Sequence, residues 1–188
     1  AYPYVIDPTT TLQRGNTTVD DTFMNSSVPT TNFGTSTSMK WGDNNGIINV
    51  ANRALIYFDT STIAAVATVT DATFSAYMSA SASDVAGTSA TVMQRLLRNW
   101  VDLEATWNIY STGNSWTTAG AGSDGNDRVA ATSASMSHDN SSGSANAYVD
   151  WTGATLTSDV QNFVDGGYNN YGWLLTCNCE YQGASNYS

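Results

Sequence analysis

The sequence is poor in charged and chemically reactive side chains. Charged residues make up 12% of its 188 residues, which is about half the usual share in soluble domains. It contains one His, two Cys and two Glu, and these residue types are among the common nucleophiles and general acids of enzymes. We find no phosphate-binding loop, dinucleotide fingerprint or Ser-His-Asp arrangement, so catalysis is not expected.

One pair of carboxylates could still be considered for glycoside hydrolysis. Asp102 and Glu104 would lie on one face of an extended segment, because residues i and i+2 of a strand point the same way. Glu104 is better explained as a buried acceptor for Thr106, for a backbone amide or for Arg98. We therefore expect this side chain to stabilise the fold.

Positive charge is scarce, and long apolar runs are missing. Six Lys and Arg face 16 Asp and Glu, which gives a net charge of −10. Phosphate backbones would repel such a chain, so nucleic acid is not an expected partner. No apolar run approaches the roughly 20 residues that span a bilayer, and no basic amphipathic helix is evident. Membrane insertion is therefore not expected.

The beginning of the sequence has neither a signal peptide nor an initiator Met. We therefore expect that either a Met or a leader was removed, and the sequence does not distinguish the two. Pro3 and Pro8 keep their neighbours out of helical geometry. We predict an extended N-terminal arm over residues 1–10, followed by a single domain over residues 11–188.

The two cysteines, Cys177 and Cys179, are separated by one residue. In a strand they would point to one face with Cα atoms roughly 6.5 Å apart, at the long end for a disulfide. A strained or intermolecular disulfide and a metal site with His138 are two interpretations. We favour a third, two thiols packed on one face of a strand.

Aromatic and short polar residues are abundant instead. The chain has six Trp and ten Tyr, while Thr, Ser, Asn, Gly and Ala replace much of the missing charge, as is typical of all-β, extracellular-type surfaces. Ala72, Phe74, Ala76 and Met78 alternate with more polar residues, which is the period of a half-buried strand. Further strands are predicted over residues 38–41, 52–59, 91–97, 148–151 and 171–175.

One segment has helical periodicity. Leu156, Val160, Phe163 and Val164 recur at i, i+4, i+7 and i+8, with Thr155 as a candidate cap and Gly166-Gly167 as the end. Residues 108–147 show little apolar periodicity and are predicted to form a long polar loop. These patterns predict an all-β sandwich with one short helix and a long polar loop.

Short motifs in a fixed order resemble the disaggregatase-related DNRLRE domain, a group of β-sandwich modules counted among carbohydrate-binding modules. The resemblance covers about residues 10–188 and implies a jelly-roll-like sandwich that is carried, without catalytic activity, by secreted, cell-surface and phage proteins. The motifs are Thr11-Leu12-Gln13, Asp21-Thr22-Phe23, Pro29-x-x-Asn32-Phe33-Gly34, residues 53–59, residues 67–74, Trp100-x-x-x-Glu104-Ala105-Thr106-Trp107-Asn108, Asp159-Val160-Gln161 and residues 169–175.

The resemblance also implies one more strand after the segment resembling residues 180–188, where this sequence stops. An unfinished sheet would expose a strand edge, which is a template for another chain. The arm of a neighbouring copy could fill that edge, as in donor-strand assembly. A truncated chain is the simpler explanation of the same pattern.

Aromatic residues in or beside the polar loop are the best candidates for a ligand contact, because sugar CH faces pack on such rings. For Trp107 we favour a core position, whereas exposed and buried positions remain equally open for Trp116. If Trp116 is exposed, its replacement by alanine should change stability by less than about 0.5 kcal/mol. The predicted ligand-binding residues are Trp116, Tyr110, Trp107, Asn108, Asn114 and Asp124, while Trp41, Trp100, Trp151 and Trp173 are predicted core residues.

A structural calcium ion is the only cofactor that the sequence suggests. Of the 16 acidic residues 14 are Asp, and two clusters offer hard oxygen ligands at short spacing. Neither follows the calcium loop of helix–loop–helix proteins, and Asp is also an ordinary turn residue. The candidate metal ligands are Asp20, Asp21, Asp124 and Asp127.

The sequence thus predicts a protein that works by display and contact at an extracellular, cell-surface or virion surface. The first hypothesis is a non-catalytic adhesion module that binds a polysaccharide or another glycan. The alternative is a purely structural subunit that decorates a capsid or forms a fibre through its arm and open sheet edge. Its partners would then be copies of itself or a capsid or cell-surface protein.

Overall fold

The computed structural model describes residues 9–43, 50–79, 88–139 and 146–180. These residues are mostly strands in antiparallel sheets with one short helix, which confirms the predicted all-β sandwich. No helix in this part of the chain is long and apolar enough to cross a membrane. The elements are β1 (Val19–Asn25), β2 (Gly42–Asp43), β3 (Ala51–Phe58), β4 (Thr73–Met78), β5 (Thr88–Arg95), β6 (Ile109–Ser111), β7 (Asn114–Ser115), β8 (Ala134–Asp139), β9 (Ala147–Thr152), α1 (Ala154–Val164) and β10 (Trp173–Cys177).

A large antiparallel sheet forms the centre of the molecule. Its strands lie in the order β1-β3-β10-β5-β8, and β2 also pairs with β3. Leu55 of β3 pairs with Thr22 of β1 on one side and with Leu174 of β10 on the other. Every residue of β10 is buried, because this strand lies between two others and both faces of the sheet are covered.

The first face of the central sheet packs against a second sheet and the helix. The second sheet has two strands, β4 and β9, whose inward side chains include Phe74 and the fully buried Trp151. They join Ile56 and Trp173 of the central sheet and Leu156 and Phe163 of α1 in one apolar core. The helix therefore plugs the sandwich, as its spacing predicted.

The second face of the central sheet is covered by residues 97–130, which we call the covering segment. Trp100, Trp107 and Trp116 of this segment join Leu55 and Leu174 in a second apolar core. Leu55 and Ile56 are neighbours on β3 that point to opposite faces, and they belong to different cores. The central sheet is therefore buried on both sides.

Three local predictions are wrong. Residues 38–41 form no strand. Gly153 rather than Thr155 occupies the cap position of α1, without a side-chain hydrogen bond. The predicted loop over residues 108–147 contains the hairpin β6–β7 and the strand β8, which were missed because two of these strands are very short and the third has small, polar side chains. Gly166 follows the helix with a φ of 72°, as expected of a helix end.

The C-terminal part of the described chain is fixed by two links. Cys177 and Cys179 form a disulfide with Cα atoms 5.0 Å apart, so the favoured prediction of two thiols is wrong. The chain turns after β10, which brings the two Cα atoms closer than a strand would. Glu180 accepts three hydrogen bonds from the guanidinium of Arg53 at 2.8–3.1 Å. The predicted arm over residues 1–10 falls almost entirely outside the described residues, which begin at Thr9.

Candidate functional site

The two tryptophans of the predicted ligand set do not form an exposed contact. Trp116 is 5% exposed and Trp107 is 8% exposed. The indole N–H of Trp116 donates to the carbonyl oxygen of Thr106 at 3.0 Å, which removes the cost of burying it. Trp107 lies under Arg53, whose guanidinium carbon is 5.1 Å from the ring centroid. Both tryptophans therefore belong to the core, and alanine at Trp116 would remove core packing.

The other predicted ligand residues are dispersed over the covering segment. Tyr110 is half-buried and packs against Trp116 with ring centroids 5.4 Å apart. Asn108 is exposed, and Asn114 lies exposed in the β6–β7 hairpin, where its amide donates to Ser111 at 3.0 Å. Asp124 is paired with Arg128 at 2.8 Å. The predicted sugar contact would require an exposed tryptophan beside these polar groups, and both Trp107 and Trp116 are buried.

The predicted metal ligands are not brought together either. Asp127 is buried, and its carboxylate accepts hydrogen bonds from the backbone N–H groups of Thr117, Thr118 and Ser123 at 2.9–3.1 Å. Burial opposes ionisation, but these hydrogen bonds outweigh it and lower the pKa of Asp127. Its oxygens thus serve the fold of the covering segment.

Asp20 and Asp21 are adjacent on β1, so their side chains point to opposite faces. Asp21 pairs with Arg14 at 2.9 Å. Across residues 9–43, 50–79, 88–139 and 146–180, no group of three or more His, Cys, Asp and Glu side chains is placed to hold a metal ion. A site with His138 and the two cysteines is likewise not formed, because both thiols are in the disulfide.

A polar cleft of about 380 Å³ opens at one end of the central sheet. Because neighbouring strands are antiparallel, the start of β1, the end of β3, the start of β10 and the end of β5 meet at this end. The covering segment, which follows β5, closes the cleft from the second face. The lining residues are Thr18, Asp20, Tyr57, Asp59, Asn99, Trp100, Asn170 and Tyr171.

Two carboxylates and a phenol face this cleft. Asp59 accepts hydrogen bonds from the backbone and hydroxyl of Ser61 at 2.8 and 2.9 Å. The carboxylate of Asp20 makes no hydrogen bond or ion pair with another residue of the described ranges. Burial, and then the charges of Asp59 and Asp20, raise the pKa of Tyr57. Its hydroxyl therefore keeps its proton at neutral pH and can donate to a ligand.

The wall formed by the residues just before β10 is held firmly by hydrogen bonds. The amide of Asn170 donates to the carbonyl of Phe58 at 2.9 Å and accepts from the N–H of Gly172 at 3.0 Å. Gly172 has a φ of 70°, and a side chain there would collide with the carbonyl of Ile56. The indole N–H of Trp100 donates to the carbonyl of Tyr171 at 2.9 Å. The cleft is thus preformed, while Asn99 and Thr18 remain exposed at its rim.

Sequence reasoning missed most of this cleft. It selected Asp20, but as a metal ligand, and assigned Trp100 to the core, where it is indeed buried. The sequence did contain one indication of the cleft, because polar residues flank the apolar strands whose ends line it. Examples are Asp59 after β3 and Asn170 before β10. The order of strands in the sheet, which the sequence did not reveal, brings these positions together.

Comparison with known proteins is consistent with the predicted resemblance. No curated protein matches the chain. A family model described as the disaggregatase related repeat domain matches residues 21–187. The match covers the central sheet from Asp21 of β1 onward, both cores and every cleft residue except Thr18 and Asp20. The chain therefore belongs to the disaggregatase related repeat domain family.

Proposed function

We propose that this protein is a non-catalytic glycan-binding module displayed at an outer surface of a cell or virion, and that the cleft at the end of the central sheet is its ligand site. The observation that carries the proposal is the composition of that cleft. Hydroxyl and amide groups, carboxylates and aromatic rings line one preformed depression.

Sugars need both hydrogen-bond partners and apolar contact. Carboxylates such as Asp20 only accept, whereas the amide of Asn99 and the protonated hydroxyl of Tyr57 can also donate. Tyr171 adds an aromatic surface for the CH groups of a sugar ring. Because Asp20 has no partner within the described protein, a ligand hydroxyl can bind it without displacing an internal hydrogen bond.

The charge of the site favours a neutral glycan. Asp20 and Asp59 line the cleft, and no Lys or Arg is among its lining residues. The whole chain also has a net charge of −10. An acidic polysaccharide would meet repulsion both at long range and in the site.

Two features support a location outside the cytoplasm. The Cys177–Cys179 disulfide is of a kind that persists in oxidising compartments. The chain is rich in short polar residues and carries few charges, as many extracellular all-β domains do. Display on a cell or virion surface agrees with both.

Affinity electrophoresis tests the proposal. The protein is run in native gels that contain dextran, galactomannan, hydroxyethylcellulose, alginate or hyaluronate, each with and without calcium. We expect at least one of the three neutral polymers to retard it, with no calcium requirement. Asn99→Ala, at the exposed rim, should raise the dissociation constant about 5- to 10-fold, which corresponds to one lost hydrogen bond of about 1 kcal/mol.

Asn114→Ala is the matched control, because it removes an exposed amide from the β6–β7 hairpin, away from the cleft. Retardation that depends on Asn114 but not on Asn99 would move the site to the β6–β7 hairpin. Migration unaffected by every polymer would overturn glycan binding. The alternative of a structural subunit depends on residues 1–10, most of which lie outside the described ranges, and it stays a prediction.

A further inference from the structure

The outer face of the β4–β9 sheet carries an exposed pair of tyrosines. Tyr77 is 54% exposed and Tyr148 is 73% exposed, and the two residues are directly paired across the strands. Their ring centroids lie 5.3 Å apart at an interplanar angle of 71°. We call this outward face the platform. Its remaining members are Thr73, Ser75, Asp150 and Thr152, which are all exposed.

The polar side chains of the platform lie next to the two tyrosines along the same pair of strands. Ser75 donates its hydroxyl proton to the carboxylate of Asp150, and Thr73 pairs with Thr152 at the end of the ladder. The face therefore presents two phenol rings, three aliphatic hydroxyls and one carboxylate, and none of its six side chains is positively charged. Rings flanked by hydroxyls suit an uncharged, hydroxyl-rich ligand.

The size of the platform favours an extended sugar chain over a protein partner. Each of the two strands is six residues long. At about 3.4 Å per residue along a strand and about 4.8 Å of width per strand, the platform has a flat area of roughly 200 Å². A stable protein–protein interface needs about 800 Å² on each partner. A second copy of this chain that used the platform alone would thus bury too little surface.

The platform and the cleft lie on opposite sides of the central sheet. Phe74 and Trp151, on the inner side of the same two strands, pack in the core of the first face. Tyr57 and Trp100, which line the cleft, pack in the core of the second face. A glycan on the platform would consequently be separated from a glycan in the cleft by the full thickness of the sandwich.

We propose that the platform is a second glycan-binding site, so that one molecule holds two separate chains of a neutral polysaccharide and links them. This inference rests on the proposed function of the cleft. Once one site is occupied, the second site meets the polysaccharide at a raised effective concentration, so the overall avidity increases although neither site binds tightly. It also gives the module a role in cohesion between neighbouring chains, in addition to attachment to one chain.

A sandwich assay separates the two sites. A plate is coated with dextran, galactomannan or hydroxyethylcellulose, the monomeric fraction of the protein is bound, and the same polymer carrying a fluorescent label is added. The wild-type protein should bind to the coated plate and then capture the labelled polymer. Tyr77→Ala/Tyr148→Ala should still bind to the plate through the cleft, with capture reduced at least tenfold, because aromatic anchors dominate such contacts.

Val66→Ala is the control, since it truncates another exposed apolar side chain. Val66 is 95% exposed and lies outside both sites. It should behave like the wild type. Tyr148→Ala alone provides a second variant, because its side chain is the more exposed of the pair and its loss leaves the β4–β9 ladder intact. An unchanged melting temperature verifies the fold of each variant.

Each outcome decides between the sites. Capture that persists in Tyr77→Ala/Tyr148→Ala, or a wild-type protein that binds to the plate but captures nothing, overturns the platform and leaves the cleft standing. Loss of capture in the platform variants, with plate binding kept, supports it. If the wild-type protein does not bind any of the coated plates, glycan binding itself fails, and the platform proposal fails with it.

Discussion

At the scale of single residues, the carboxyl of Asp102 lies in an environment that opposes its charge. Burial, and then the negative charges of Asp20 and Asp21, raise its pKa to about 6, although Arg14 acts in the opposite direction. Its Oδ1 is buried without a hydrogen-bond partner in the described protein, and Gly34 packs directly against it. Ionised Asp102 therefore destabilises the folded chain.

Asp102→Asn should stabilise the protein at neutral pH but not in acid. Because the folded-state pKa exceeds the ordinary value, wild-type stability is fully present below about pH 4 and falls as pH rises through about 6. Above pH 7 we expect the variant to gain roughly 1 kcal/mol in unfolding free energy, a value reduced by water screening at this half-buried group. Urea denaturation at pH 3.5 and pH 7.5 measures the difference.

Asp71→Asn controls for overall charge, because it removes one negative charge from an exposed residue. An equal gain in both variants at pH 7.5 would show that the net charge, and not the surroundings of Asp102, is responsible. Glu104 illustrates the opposite arrangement, since it accepts a hydrogen bond from the N–H of Thr112 at 2.7 Å. This contact confirms the backbone amide among the three partners that the sequence suggested, but Glu104 is half-buried and not buried as expected.

At the scale of elements, the covering segment explains both the success and the failure of sequence reasoning. The strands β3, β4, β9 and β10 are visible in the sequence because apolar residues alternate or cluster in them. The covering segment instead buries its tryptophans inside a polar sequence, where backbone carbonyls accept the indole N–H groups of Trp100 and Trp116. Local composition therefore left exposed and buried positions equally open for Trp116, whose place in the second core comes from contacts distant in sequence.

Gly120→Ala tests how closely the covering segment packs on itself. Gly120 has a φ of 73°, and a Cβ atom there would lie 2.7 Å from the ring of Trp107. We expect a loss of about 2–4 kcal/mol, because overpacking adds about 1–3 kcal/mol to about 1 kcal/mol for the left-handed backbone conformation. Chemical denaturation gives the value.

Gly113→Ala isolates the backbone contribution to this loss. Gly113 has a similar φ of 81°, but nothing lies within 4 Å of its Cβ position. Its alanine variant should lose only about 1 kcal/mol from the left-handed conformation. Equal losses at the two glycines would mean that the Trp107 ring moves aside freely, and that the second core is looser than its burial implies.

At the scale of the whole molecule, the cleft exists only where both halves of the fold meet. Its floor comes from strands of the central sheet, whereas Asn99 and Trp100 come from the covering segment. The proposed glycan binding should therefore depend on docking of that segment as well as on the sheet. This dependence is a consequence of strand order, which joins positions as distant in sequence as Asp20 and Asn170.

Leu174 and Leu175 test whether the two cores form one cooperative unit. They are consecutive residues of β10, both fully buried, and they belong to the second and the first core respectively. Alanine at either position should cost about 2–5 kcal/mol. Because both cores share the central sheet, each variant should unfold in a single transition with coincident tryptophan fluorescence and far-ultraviolet circular dichroism. A separate early fluorescence transition in Leu174→Ala alone would mean that the covering segment detaches independently, and the cleft would then open before the sandwich unfolds.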